Sequence, residues 1–274
     1  MTAIAPPTTP AELLFRDAAG NPSSLEDLID DGLDGAYRDR VPALVALLRD
    51  GAPRDRLYAC MVLTAWGVAD GFSTLITWAK QPSSVPWADQ PVEIDRRHGV
   101  DAAFERLADA VRSSLQLDST PDLLRDQQAA ARALLELYDR KYFGQAMQVV
   151  ASDVAIRTAC ADAILAAATA AVRGSAHAPP EPFDLGWQAA LLLSPVARID
   201  DDRAAALAGE LLREHPGNTR VAREVALSLG RGAGAATQRV LEQLAASSVP
   251  AIANDAAAAL TRRSRAAARD SQPG

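Results

Sequence analysis

Between Tyr37 and Gly67 the chain reads YRDRVPALVALLRDGAPRDRLYACMVLTAWG. Two apolar runs flank the turn Asp50-Gly51-Ala52-Pro53. In the first, Leu44, Leu47 and Leu48 recur at helical spacing. The second enters through Pro53-Arg54-Asp55-Arg56, with proline at the first helical position, and then becomes apolar almost all round. Leu57, Met61, Thr64, Ala65 and Val68 form one stripe, and Tyr58, Val62, Ala65 and Trp66 form the next. A helix that is apolar on every side is enclosed by other helices. The stretch therefore reads as the inner wall of a helical stack rather than a reactive pocket. Cys60 and Met61 read as packing residues.

The rest of the chain agrees. Of its 274 residues 49% are apolar and only 5% aromatic. Segments such as QQAAARALLELYDR and CADAILAAATAAVRG are rich in strong helix formers and poor in strand formers. The expected class is all-α. Helices are predicted over about 10–18, 24–31, 36–50, 54–67, 71–80, 100–117, 121–139, 142–151 and 153–173. After the linker APPEPF they follow over about 184–194, 200–214, 218–229, 234–247 and 249–268. Ser24 with Asp27 makes a near-capping box. Thr120 precedes Pro121 at a helix start, and Asp200, Asp201 and Asp202 suit the positive end of a helix dipole. HPGN at 215–218 and GRGAG at 230–234 break one helix and start another. Residues 1–10 and 269–274 read as flexible tails around a single helical domain at 11–268, with an inserted loop at 81–99.

Helix pairs recur at roughly 30–40 residues, in the range of stacked repeats. DDRAAALAGELLREHPGNTRVAREVALSLGRGAG repeats the plan of the opening stretch. The pattern resembles HEAT-like α-solenoids. The resemblance rests on Pro42, Leu44, Leu47, Leu48, Asp50, Gly51, Pro53, Arg56, Ala59, Leu63 and Gly67. Later it rests on Leu207, Leu211, Leu212, Pro216, Arg220, Ala222, Leu227 and Gly230. It covers about 36–80 and 198–265, and the middle departs from it. It implies a right-handed stack of antiparallel helix pairs and an extended binding surface.

The motifs of catalysis are missing from the sequence. Cys60 and Cys160 sit in apolar helical patterns without a CxxC. GFSTL is not GxSxG and follows no strand. GRGAGAAT lacks the lysine and the preceding strand of a phosphate loop. His98, Asp101 and Glu105 lie close in sequence, and the plainer account is a polar helix start, so no metal and no cofactor is expected. The acidic segment does not follow the EF-hand spacing. A formal charge of −7 disfavours general binding to nucleic acid. No run reaches membrane-spanning length. No secretory leader is expected, and a reduced, cytoplasmic setting is.

Two places invite a protein partner. Residues 1–50 hold nine acidic residues against four arginines, and Asp27, Asp30, Asp31 and Asp34 cluster on one predicted helix and its exit. Such carboxylates suit a basic partner. The loop at 81–99 adds Trp87 between prolines, with Asp89, Glu93, Asp95, Arg96 and Arg97, and Trp78 near its start. Trp and Arg are enriched among interface hot spots. Trp87 either anchors a partner or folds back to plug a gap between helices. Compact HEAT-like chains are similar in general type to bacterial immunity proteins. That similarity implies a non-catalytic module that blocks a cognate toxin with a basic surface. A HEAT-like scaffold is the alternative. So, more remotely, is a HEAT-like DNA glycosylase using Trp66, Asp70, Trp78 and Trp87.

Overall fold

The structure is a computed structural model that describes residues 9–96, 99–176 and 183–270. It is all-α, with one two-residue strand pair among the described residues. The chain falls into two compact units, Met1–Leu134 and Leu135–Gly274.

The first unit holds α1 (Pro10–Phe15), α2 (Leu25–Leu33), a 3₁₀ turn (Arg38–Arg40), α3 (Val41–Asp50), α4 (Pro53–Ala65) and α5 (Ala69–Lys80). Strands β1 (Ile94–Asp95) and β2 (Val100–Asp101) follow, then α6 (Ala103–Ser114) and α7 (Pro121–Leu135), which closes the unit. Helix α4 packs against α1, α2, α3, α5 and α6. Every residue from Leu57 to Ala65 is buried, which is why the opening stretch has no polar face. Two contacts bring its neighbours very close. A Cβ on Gly71 would lie 2.5 Å from the Thr64 backbone nitrogen, and one on Gly32 would lie 2.0 Å from Trp66 Nε1. Glycine at both positions lets α5 and α2 press directly on α4 and the Trp66 that ends it.

The second unit holds α8 (Ala146–Ser152), α9 (Val154–Ala159), α10 (Ala161–Ser175), α11 (Leu185–Ile199), α12 (Asp201–Glu214), α13 (Thr219–Leu229), α14 (Ala235–Ala245) and α15 (Pro250–Asp270). Here α11 is the enclosed helix, packed by α8, α9, α10, α12 and α13. From α10 onward the helices alternate between two rows. One row runs α10, α12, α14 and the other α11, α13, α15, each member touching the next. Buried Gln188 fastens the segment after α7 to α11. Its Nε2 donates to the carbonyls of Tyr138 (2.7 Å) and Lys141 (2.9 Å), and its Oε1 accepts from the Phe143 amide at 2.8 Å. A buried amide with its bonds made adds specificity without the cost of an unpaired group.

Several expected boundaries shift, three of them at a visible feature of the backbone. The helix expected from 36 begins at Val41, because Tyr37 takes a left-handed φ of 60°. That conformation is held by stacking on Trp66 and by the Arg40 guanidinium 4.3 Å over its ring. The helix expected over 153–173 breaks where Cys160 leaves helical geometry between α9 and α10. The loop expected at 81–99 holds β1, and the helix expected from 100 begins at Ala103 behind β2.

Candidate functional site

Charge divides along the unit boundary. Residues 1–134 carry 20 Asp and Glu against 13 Lys and Arg (13 − 20 = −7), and residues 135–274 carry 15 of each. The whole formal charge of the chain therefore resides in the first unit.

On α2 the spacing of apolar residues turns Leu25, Leu28 and Ile29 inward. The opposite side carries Asp27, Asp30, Asp31 and Asp34, all exposed. Their offsets of three, four and seven residues put them on one helical face. Asp27 closes the capping box with Ser24, and Asp31 accepts a hydrogen bond from the Tyr37 hydroxyl at 3.0 Å. The last turn of α2 contains no basic residue. Asp30, Asp31 and Asp34 thus sit toward the negative end of the helix dipole, where carboxylates weaken a helix.

The loop at 81–99 behaves differently from α2. Trp87 is 2% exposed. Its ring meets Trp78 of α5 edge-on at 4.9 Å and Phe104 of α6 at 6.4 Å. Trp78 is itself buried. Both tryptophans fill the interior of the first unit, so the plug arrangement holds for Trp87 and neither ring is presented to solvent. Among the described residues the Trp87 indole nitrogen has no hydrogen-bond partner.

Glu93 also faces inward. It accepts from the Tyr58 hydroxyl at 2.8 Å and lies 3.6 Å from Arg106, which also reaches Glu26 of α2 at 3.9 Å. Burial and the bond to Glu93 raise the Tyr58 pKa. These contacts tie the loop to α4, α6 and α2. Asp95 is half-buried, while Asp89 and Arg96 are exposed. Arg97 and His98 lie outside the described residues. Of the candidate residues, Asp27, Asp30, Asp31, Asp34, Asp89 and Arg96 are exposed, Asp27 and Asp31 with a local hydrogen bond each.

Helix α6 carries a carboxylate pair, Glu105, which the sequence places at a polar helix start, and Asp109 one turn on. Burial, with Asp109 and Asp95 nearby, pushes Glu105 from an ordinary 4.5 up to about 7. Burial raises Asp109 as well, against the pull of Arg112 and Arg106. Asp101 accepts a hydrogen bond from the Ala103 amide at the start of α6, at 3.0 Å.

Both thiols are enclosed. Cys60 is fully buried, donates to the Gly71 carbonyl at 3.5 Å, and is pushed up to about 12 by burial. Cys160 is buried as well. A catalytic thiol needs the reverse, a lowered pKa and access. The aromatic residues of the glycosylase alternative are enclosed too. Trp66 is 2% exposed and donates to the Ile29 carbonyl at 3.2 Å, while Asp70 lies exposed. Among the described residues no group of three or more His, Cys, Asp or Glu is placed to hold a metal ion, and no helix is long and apolar enough to cross a membrane.

Comparison with family models, with curated proteins and with solved structures returned no match to this chain.

Proposed function

We propose that this protein is a non-catalytic protein-binding module whose partner carries a basic surface. One observation carries the reading: the exposed aspartate face of α2. Each of Asp30, Asp31 and Asp34 lies at the unfavourable end of its helix dipole, and the four like charges repel at helical spacing. The arrangement works against the helix, so its use lies in meeting a complementary charge. Carboxylates in this setting take arginine or lysine from a partner and raise the rate of encounter.

The alternation of helices between two rows supports an α-solenoid-like scaffold of HEAT type, and such scaffolds act by presenting surface. Within that class we favour a bacterial immunity protein that covers a cognate toxin. A scaffold or assembly role is the second reading, favoured by the same two rows of helices. The test has two stages. Affinity capture identifies a stoichiometric partner, and the partner is then expressed alone and together with this protein. Toxicity alone and rescue together support immunity; a harmless partner assigns the scaffold role. In either case Asp30→Lys with Asp34→Lys is expected to weaken the complex at least tenfold at low salt without loss of fold stability. Unchanged affinity would overturn the acidic-face reading.

A further inference from the structure

The second unit, neutral overall, contains a cleft of about 980 Å³ between α8, α11, α13, α14, α15 and the turn at 230–234. Its size is at the upper end for small-molecule sites. Its charge is one-sided. Four arginines, Arg198, Arg231, Arg262 and Arg263, line it against a single carboxylate, Glu224.

These arginines are not alike. Arg263 is committed to the fold, donating to the Thr237 hydroxyl at 3.1 Å and to the Gly234 carbonyl. Arg198, Arg231 and Arg262 have no carboxylate within ion-pair distance among the described residues. Arg198 donates only a long 3.4 Å bond to the Arg231 carbonyl. Burial and the like charges of Arg157 and Arg231 lower its pKa. Glu224 is one negative charge against four positive ones, and it is held in place by other groups. Its two oxygens already accept from Trp187 Nε1 and the Ser228 hydroxyl, each at 3.2 Å.

A second observation points to a ligand. Gln148 is 4% exposed and lines the cleft, yet its side-chain amide makes no hydrogen bond among the described residues. The residue is more than nine-tenths buried while its amide keeps its bonding capacity, so an oxyanion in the cleft would find a donor there. The glycine turn forms part of the same wall. A Cβ on Gly230 would lie 2.7 Å from Ala259 Cβ and 3.2 Å from Arg262 Nη2, so glycine there brings the backbone against the arginine.

We propose that this cleft binds a small polyanion, a molecule with two or more carboxylate or phosphoryl groups. Arg198, Arg231 and Arg262 would grip its oxyanions, and Gln148 would donate to a further oxygen. Guanidinium forks match both kinds of oxyanion in bidentate geometry. The site is separate from the aspartate face of α2, and neither reading depends on the other.

The test is calorimetric titration of the full chain with citrate and, separately, with tripolyphosphate, at constant ionic strength. We expect saturable one-to-one binding of at least one probe, weakened tenfold or more by Arg231→Gln with Arg262→Gln. Both arginines are exposed, so the double variant keeps its fold, which thermal melting checks. Gln148→Met is expected to weaken the same probe by a smaller factor. Preference for citrate assigns a polycarboxylate ligand, and preference for tripolyphosphate a phosphorylated one. Failure of both probes to bind at 10 mM (roughly the weak limit set by an affinity of about −3 kcal/mol) would overturn the proposal. So would binding that the double variant leaves intact.

Discussion

Helices α4 and α11 hold the same position in their units, and their surroundings differ. Each is packed by five other helices, and each is buried along nearly its whole length. Around α4 the neighbours seal a mostly apolar centre that also holds Thr64, and the unit's net charge is carboxylate. Around α11 the interior holds Gln188, fully bonded, and Ser194, without a partner among the described residues. Beyond α11 the chain continues as two rows, where α14 touches only α12, α13 and α15 by substantial contact. An enclosed centre makes a unit cooperative, because one side chain is shared by many elements. Rows make stability a sum of neighbour terms.

That difference is open to a direct attack. Trp66 is 2% exposed, bonds Ile29, stacks on Tyr37 and abuts Gly32. Trp66→Ala is expected to cost about 4 kcal/mol. Hydrogen exchange should show lost protection throughout α1 to α6. Leu241→Ala removes a fully buried side chain from α14 at a cost of about 3 kcal/mol, with the loss confined to α12–α15. Equal spread of the two effects would erase the distinction between centre and row.

A pair of glycines sharpens the picture within the rows. Asp201 starts α12, yet its carboxylate reaches α14. It accepts from the Ala236 amide at 2.7 Å and from the Thr237 hydroxyl at 2.5 Å. A Cβ on Gly234 would lie 2.0 Å from Asp201 Cγ. Gly234→Ala therefore expels the cap and should cost about 2 kcal/mol. Gly209 lies inside α12 with nothing within 4 Å of an added Cβ. There the same substitution should stabilise by about 0.5–1 kcal/mol, through helix propensity alone. Denaturant midpoints of the two variants are expected to move in opposite directions.

The sequence carried the class of the fold because helix-forming patterns are local. Ala and Leu spacing marked the helices. Ser24, Thr120 and Asp200 all cap the helices whose starts the sequence marked. The apolar stretch at 56–67 announced an enclosed helix. What escaped was whatever depends on distant partners. Trp87 stands in a polar, proline-rich stretch that left anchor and plug both open, and only its distant neighbours Trp78 and Phe104 decide between them. Asp201 looked like an ordinary dipole charge and serves another helix. Arg56 and Arg220 occupy matching places in the two repeat-like segments and do different work. Arg56 donates to the Leu48 carbonyl at the end of α3, at 2.9 Å, whereas Arg220 lies 4.2 Å over the Trp187 ring. The aspartates of α2 were legible as a site because four of them fall within eight residues. The arginine cleft was not, because its walls come from segments between 145 and 266.

A last effect separates the units by the sign of a titration. Glu105 in the first unit is raised to about 7 by burial and by Asp109 and Asp95. Its folded state holds the proton more tightly than the unfolded state does. Its contribution is complete below the unfolded value of 4.5 and is lost as pH rises through about 7. Glu105→Gln removes the charge and keeps the shape. Relative to the parent protein, the variant should gain melting temperature between pH 4.5 and 7 and hold that gain above. Asp201 in the second unit runs the other way. Burial opposes its ionisation, but the Thr237 hydroxyl, the amides of Ala236 and Thr237, and Arg263 together lower its pKa. Its contribution is present above the unfolded value of 3.8 and is lost as pH falls through the lowered one. Asp201→Asn should therefore be destabilising at pH 7 and approach the parent in acid. Melting curves from pH 3 to 8 read both (a range set by the ordinary carboxylate values of about 4). Parallel profiles for the two variants would mean that the carboxylates of the two units share one environment.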